Sequence, residues 1–198
     1  MPKRLLWGAV MAASVLAAAP ANAAYIAYVY ETGSDVTATG SGSLNLSDLT
    51  VQFQTRPSFG INGSIAVIRL GDTGANVTKY GSISGPTSFG SLGLIAPSTN
   101  SGAYVGLSGN GQSFFMFTGY VSGQDLGTST DVFNGTTLST MGLTPGTYTW
   151  TWGAGDNADS YTLNIGTAPP ADVPEPASAA LLGAGLLGLG AARRRRAA

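Results

Sequence analysis

Two apolar runs sit at the ends of this chain, and alternating apolar and polar positions fill the stretch between them. Within that stretch no window carries a sustained apolar repeat at helical spacing, whereas period-two alternation is frequent, so strands are predicted throughout. They lie near Tyr25–Glu31, Val36–Leu44, Leu49–Gln54, Ser64–Leu70, Val77–Ile83, Ala103–Leu107, Ser113–Gly119, Val132–Phe133, Thr137–Met141, Thr147–Trp152 and Ser160–Ile165. In Thr147–Trp152 the aromatic Tyr148, Trp150 and Trp152 share one face and the threonines the other, as a half-buried strand requires. Farther back, Ile65, Val67 and Arg69 fall on one side and Ala66, Ile68 and Leu70 on the other, which predicts a strand covered on most of both faces. Asn62-Gly63, Asn110-Gly111 and Asn134-Gly135 supply positive φ for hairpins, and Pro145-Gly146 fits the centre of a type II turn. The fold class predicted is all-β: an antiparallel β-sandwich, jelly-roll-like, over residues 24–168, with an N-terminal signal helix and a C-terminal transmembrane helix.

The end segments read as addresses. Lys3 and Arg4 precede the apolar run from Leu5 to Ala19, and small side chains at Ala21 and Ala23 follow. That order predicts a secretory signal peptide over residues 1–23, passed through the translocon and cut after Ala23 by signal peptidase. At the other end a Pro-rich linker, residues 169–176, closes on Val173-Pro174-Glu175-Pro176; an uncharged run over 177–192 and a basic tail over 193–198 complete the chain. The two prolines hold Val173 and Glu175 extended and open to a protease. A helix over 177–192 rises about 24 Å at 1.5 Å per residue, short of the roughly 30 Å hydrocarbon core, so it spans only with help from snorkelling arginines. Basic residues stay on the cytoplasmic side, which places residues 24–176 outside the inner membrane. Gly183, Gly185 and Gly188 match the letters of a dinucleotide fingerprint but lack the strand–turn–helix context it needs.

A Pro-Glu-Pro motif, a short apolar helix and Arg193-Arg194-Arg195-Arg196, in that order at the end of the chain, resemble the PEP-CTERM sorting signal of Gram-negative bacteria. The resemblance implies that an exosortase-type membrane transpeptidase recognises the tail and cuts near Val173, Pro174, Glu175 and Pro176, with Arg193 to Arg196 as the stop signal. It implies transient membrane anchoring followed by delivery to the cell surface or extracellular matrix, with a link to extracellular polysaccharide and biofilm. The same tail is carried by some ice-binding proteins. Thr144–Gly153 and Asp159–Ile165 also look like the last hairpin of many PEP-CTERM cargo proteins.

Composition narrows the chemistry. The chain has no Cys and no His, which excludes disulfides, the usual zinc and haem ligation, and Ser-His-Asp or Cys-His catalysis. From Ala24 to Asp172 nine carboxylates stand against only Arg56, Arg69 and Lys79, a net charge of −6, so no nucleic acid partner is expected. Asp156, Asn157 and Asp159 gather oxygen ligands suited to calcium, with Asp72 and Asn76 a looser set, although no Asp-x-Asp-x-Asp-Gly loop is present. Asp125 and Asp131 exemplify a carboxylate pair for glycoside hydrolysis, but nothing in the spacing selects them. Phe114 and Phe115 point to opposite faces of one strand, so one of them is a candidate platform for a sugar ring. Flat ice-binding faces need ranks of threonines, and Thr37, Thr39, Thr149 and Thr151 are too few. The expectation is a non-enzymatic structural or adhesive protein without catalytic residues or a required cofactor. Its rival is a secreted carbohydrate-binding or carbohydrate-active protein, calcium-dependent if Asp156, Asn157 and Asp159 hold that ion.

Overall fold

The computed structural model describes residues 24–56, 58–72 and 76–171. Twelve strands run in chain order: β1 (Ala24–Thr32), β2 (Asp35–Gly42), β3 (Thr50–Thr55), β4 (Gly60–Asn62), β5 (Val67–Leu70), β6 (Val77–Gly81), β7 (Thr99–Ser101), β8 (Val105–Ser108), β9 (Ser113–Phe117), β10 (Thr128–Phe133), β11 (Gly146–Trp152) and β12 (Asp159–Ile165). They form two six-stranded sheets, ordered β11-β12-β1-β2-β10-β7 and β3-β6-β9-β8-β5-β4. The fold is all-β and sandwich-like, because alternate residues of both sheets enter one apolar core. Tyr25, Ala27 and Val29 of β1 and Tyr161, Leu163 and Ile165 of β12 meet Ile68, Leu107, Phe114 and Met116 of the other sheet. The Phe114 ring centroid lies 4.7 Å from that of Trp152 and 5.7 Å from that of Tyr161, which ties the layers together across their centre. Gly40 makes room for this packing: a Cβ there would stand 2.6 Å from the Tyr25 ring.

Wholly antiparallel pairing does not hold. β1 and β12 are parallel neighbours, from Ala24↔Ser160 to Val29↔Ile165, so the first sheet is mixed while the second is antiparallel throughout. The 126 residues between Thr32 and Asp159 separate these two strands, which frees them from the reversal that a hairpin imposes. The expected strand at Ser64–Leu70 starts late: Gly63–Ile65 form a 3-10 turn, Ala66 adopts a left-handed φ of 50°, and pairing begins at Val67. The expected strand at Thr137–Met141 is a turn instead. There the Thr137 and Thr140 hydroxyls bond local backbone, with Thr140 N–H donating to Thr137 Oγ1 at 3.1 Å and Thr140 Oγ1 donating to the Thr137 carbonyl at 3.0 Å. Leu138 and Met141 still bury their side chains in the core.

Among the described residues no helix is long and apolar enough to cross a membrane. The signal helix with Ala21 and Ala23, the motif Val173–Pro176, the helix over 177–192 and Arg193–Arg196 lie outside the described residues.

Candidate functional site

Side chains that point away from the core on the second sheet form one rank across five strands. Pairing aligns Phe53 of β3 with Lys79 of β6, Lys79 with Phe115 of β9, Phe115 with Gly106 of β8, and Gly106 with Arg69 of β5. A β-bulge between Val51 and Phe53 sets the first of these pairings and so turns Phe53 toward Lys79. The Lys79 ammonium stands 5.3 Å from the Phe53 ring centroid and 5.9 Å from that of Phe115, and the Arg69 guanidinium carbon lies 5.1 Å from the centroid of Phe115. These are cation–π distances.

The rank floors an open pocket of about 270 Å³, whose walls add Thr55, Arg56, Ser58 and Tyr104. Arg56, Arg69 and Lys79 are all the cations between Ala24 and Asp172, and among the described residues the pocket lining holds all three and no carboxylate. Gly106 keeps the floor open, since a Cβ there would lie 3.0 Å from the Tyr104 hydroxyl, 3.1 Å from Phe115 Cβ and 3.2 Å from Arg69 Cγ. Tyr104 donates its hydroxyl to the Ser58 carbonyl at 3.1 Å, and an Arg69 guanidinium N–H donates to Ser58 Oγ. Burial pushes the Tyr104 phenol up to about 12, against the opposing pull of Arg69, so it remains a neutral donor at ordinary pH.

Phe114 and Phe115 part as their alternation requires. Phe114 is fully buried, whereas Phe115 lines the pocket. Arg56, Arg69 and Lys79 carried no functional signal in the sequence beyond their scarcity, because only strand pairing brings them together.

The oxygen ligands proposed for calcium are dispersed into a structural knot. Asp156 is exposed, while Asn157 donates its side-chain amide to Asp48 Oδ1 at 2.9 Å. Asp159 is buried and accepts backbone N–H groups of Asn45 and Ser160, both at 2.6 Å. Burial raises the Asp159 carboxyl to about 6 even though those two amides pull the other way. Asp48 completes the knot by accepting the Ala154 N–H at 3.2 Å, a partner that no local motif announced. Among the described residues no group of three or more Asp or Glu side chains is placed to hold a metal ion.

Asp125 and Asp131 occupy different surroundings. Asp125 caps an exposed turn by accepting the Gly127 N–H at 3.0 Å. Asp131 points between the sheets, fully buried, with Oδ1 accepting the Gly71 N–H at 2.9 Å and Oδ2 unpartnered. Burial raises its carboxyl to about 7; the Gly71 bond opposes that shift and the nearby Asp72 charge adds to it.

The outward face of the first sheet carries a second array. Register places Thr149, Thr162, Ile26, Ser41 and Thr128 in one cross-strand row, and Thr147, Asn164, Tyr28, Thr39, Thr130 and Ser101 in the next. With Thr32, Thr37, Thr99 and Thr151, ten threonines among the described residues share this face, more than the four that short-range alternation suggested. Neighbouring hydroxyls approach one another, Thr39 to Thr130 at 3.3 Å and Thr149 to Thr162 at 3.4 Å.

The family model described as the PEP-CTERM protein-sorting motif matches residues 172–196. No curated protein and no solved structure matches the chain. The chain thus carries a PEP-CTERM sorting tail, which supports an exported protein sorted at the membrane by exosortase in a Gram-negative bacterium.

Proposed function

We infer that this is a non-enzymatic binding domain that exosortase releases to the cell surface or extracellular matrix, where it has a structural or adhesive role linked to exopolysaccharide or biofilm. The signal peptide over 1–23 delivers it, the apolar segment over 177–192 holds it transiently, and cleavage near Val173–Pro176 frees it. One observation carries the binding role: the scarce cations of an acidic body converge with aromatic rings on an open sheet face, in a pocket lined, among the described residues, by no carboxylate. Hydrolysis of glycosides needs an acid–base carboxyl pair across a cleft, and this lining offers adhesion without that machinery.

Intact-mass analysis of surface material tests the delivery route. The mature form should lack residues 1–23 and Arg193–Arg196, and recovery of Arg196 on surface-exposed protein would defeat exosortase processing. Replacing Arg193 to Arg196 with Ser should leave export intact and retain the product in the membrane fraction; unchanged surface display would refute the stop-signal role.

A second reading is favoured by the ten threonines on the outer face of the first sheet. Such a ranked hydroxyl face suits an ordered lattice of water, as on ice. Inhibition of ice recrystallisation, lost in Thr39→Lys and Thr149→Lys, supports that reading; no inhibition by the wild-type protein removes it.

A further inference from the structure

Resting on the reading of this chain as an exported binding domain, we propose that the pocket between Phe53 and Arg69 binds a carboxylated sugar unit of an acidic polysaccharide. Lys79 and Arg69 flank the same Phe115 ring at 5.9 and 5.1 Å, and Arg56 joins them on the pocket wall. Like charges so gathered repel one another, and none of the eight carboxylates among the described residues lies in this lining to offset them. An anion seated above Phe115 supplies the missing charge. Arg69 spends one donor on Ser58 and keeps the rest of its planar fork, which matches the two oxygens of a carboxylate.

The flanks choose among anions. Phe53 is 54% exposed and borders the pocket, so the ligand needs an apolar face beside its charge. A pyranose ring bearing a carboxylate has both, through its axial C–H groups and its acid; inorganic phosphate has only charge. At about 270 Å³ the pocket is smaller than the roughly 300 Å³ at which drug-sized ligand sites begin, so one sugar unit fits and the rest of the polymer runs outside. The body's net charge of −6 disfavours densely charged polyanions beyond the pocket, whereas a polysaccharide with one carboxylate per sugar, or fewer, is tolerated. Gly106 sets the depth, because a side chain there would press on Phe115 and Arg69.

Calorimetric titration of the full-length chain in detergent tests the assignment, with trigalacturonate, its methyl ester, inorganic phosphate and polyglutamate as probes. Trigalacturonate should bind, weaken as salt rises, and lose about tenfold or more on methyl esterification. Arg69→Gln and Lys79→Gln should each weaken it by about tenfold, and Lys79→Arg should retain it. Arg56→Gln, at an exposed position that does not support the core, provides a loss-of-charge variant whose folding is not in question. Equal binding of the methyl ester, equal or tighter binding of phosphate or polyglutamate, or undiminished binding in folded Arg69→Gln and Arg56→Gln each overturns the proposal. Surface delivery of the same variants is scored separately. Normal trimming without sugar binding sinks the pocket assignment alone, and sugar binding without trimming sinks the sorting route alone.

Discussion

Replacing Asp131 with Asn should flatten the dependence of stability on pH. Asp131 is fully buried between the sheets with one oxygen unpartnered, and burial lifts its carboxyl from 3.8 to about 7. Because the folded value is the higher one, the native state binds more protons than the unfolded chain between these limits. Stability from this group is therefore complete below about pH 4 and is lost as pH rises through about 7. A shift of about three pH units at about 1.4 kcal/mol each sets an upper limit of about 4 kcal/mol on that loss. Asp159, raised to about 6, adds a smaller change of the same sign. Asparagine preserves an acceptor for the Gly71 N–H and carries no charge, so the variant should keep only the Asp159 slope and should exceed wild type in stability at pH 8. Urea unfolding followed by Trp150 and Trp152 fluorescence, both residues being buried, reads this out from pH 4 to pH 8. Parallel stability–pH curves for the two proteins would refute the assignment of Asp131 as a carboxyl forced toward neutrality by the core.

Further outcomes separate the two faces of the second sheet. Phe114→Ala should cost about 3–5 kcal/mol in urea unfolding, because it empties the contact with Trp152 and Tyr161, whereas Phe115→Ala should cost far less and act on sugar binding instead. Gly40→Ala should destabilise by about 1–3 kcal/mol, measured the same way, since its Cβ would drive the Tyr25 ring out of place. Asp48→Ala should loosen the knot around Asn157, detected as faster amide exchange at Ala154 with little change at the pocket.

Local pattern accounts for the ends and for much of the middle. The Pro-Glu-Pro motif, the apolar run and the arginine cluster are contiguous in the chain, so the resemblance to the sorting signal needs no tertiary contact to be seen, and the match at 172–196 coincides with it. Strand alternation likewise assigned Trp150 and Trp152 to the core and separated Phe114 from Phe115, because a side chain's face follows from its neighbours along the strand. Turn chemistry was harder: Thr137 and Thr140 looked like strand residues until their hydroxyls were seen bonding nearby backbone. Only the tertiary structure joined β1 to β12 in parallel, turned Asp131 inward, ranked ten threonines, and drew Arg56, Arg69 and Lys79 into one pocket. Each depends on register between strands far apart in the chain, where a shift of one residue reverses every face; that register is set by the packing of the whole core and by no short segment within it.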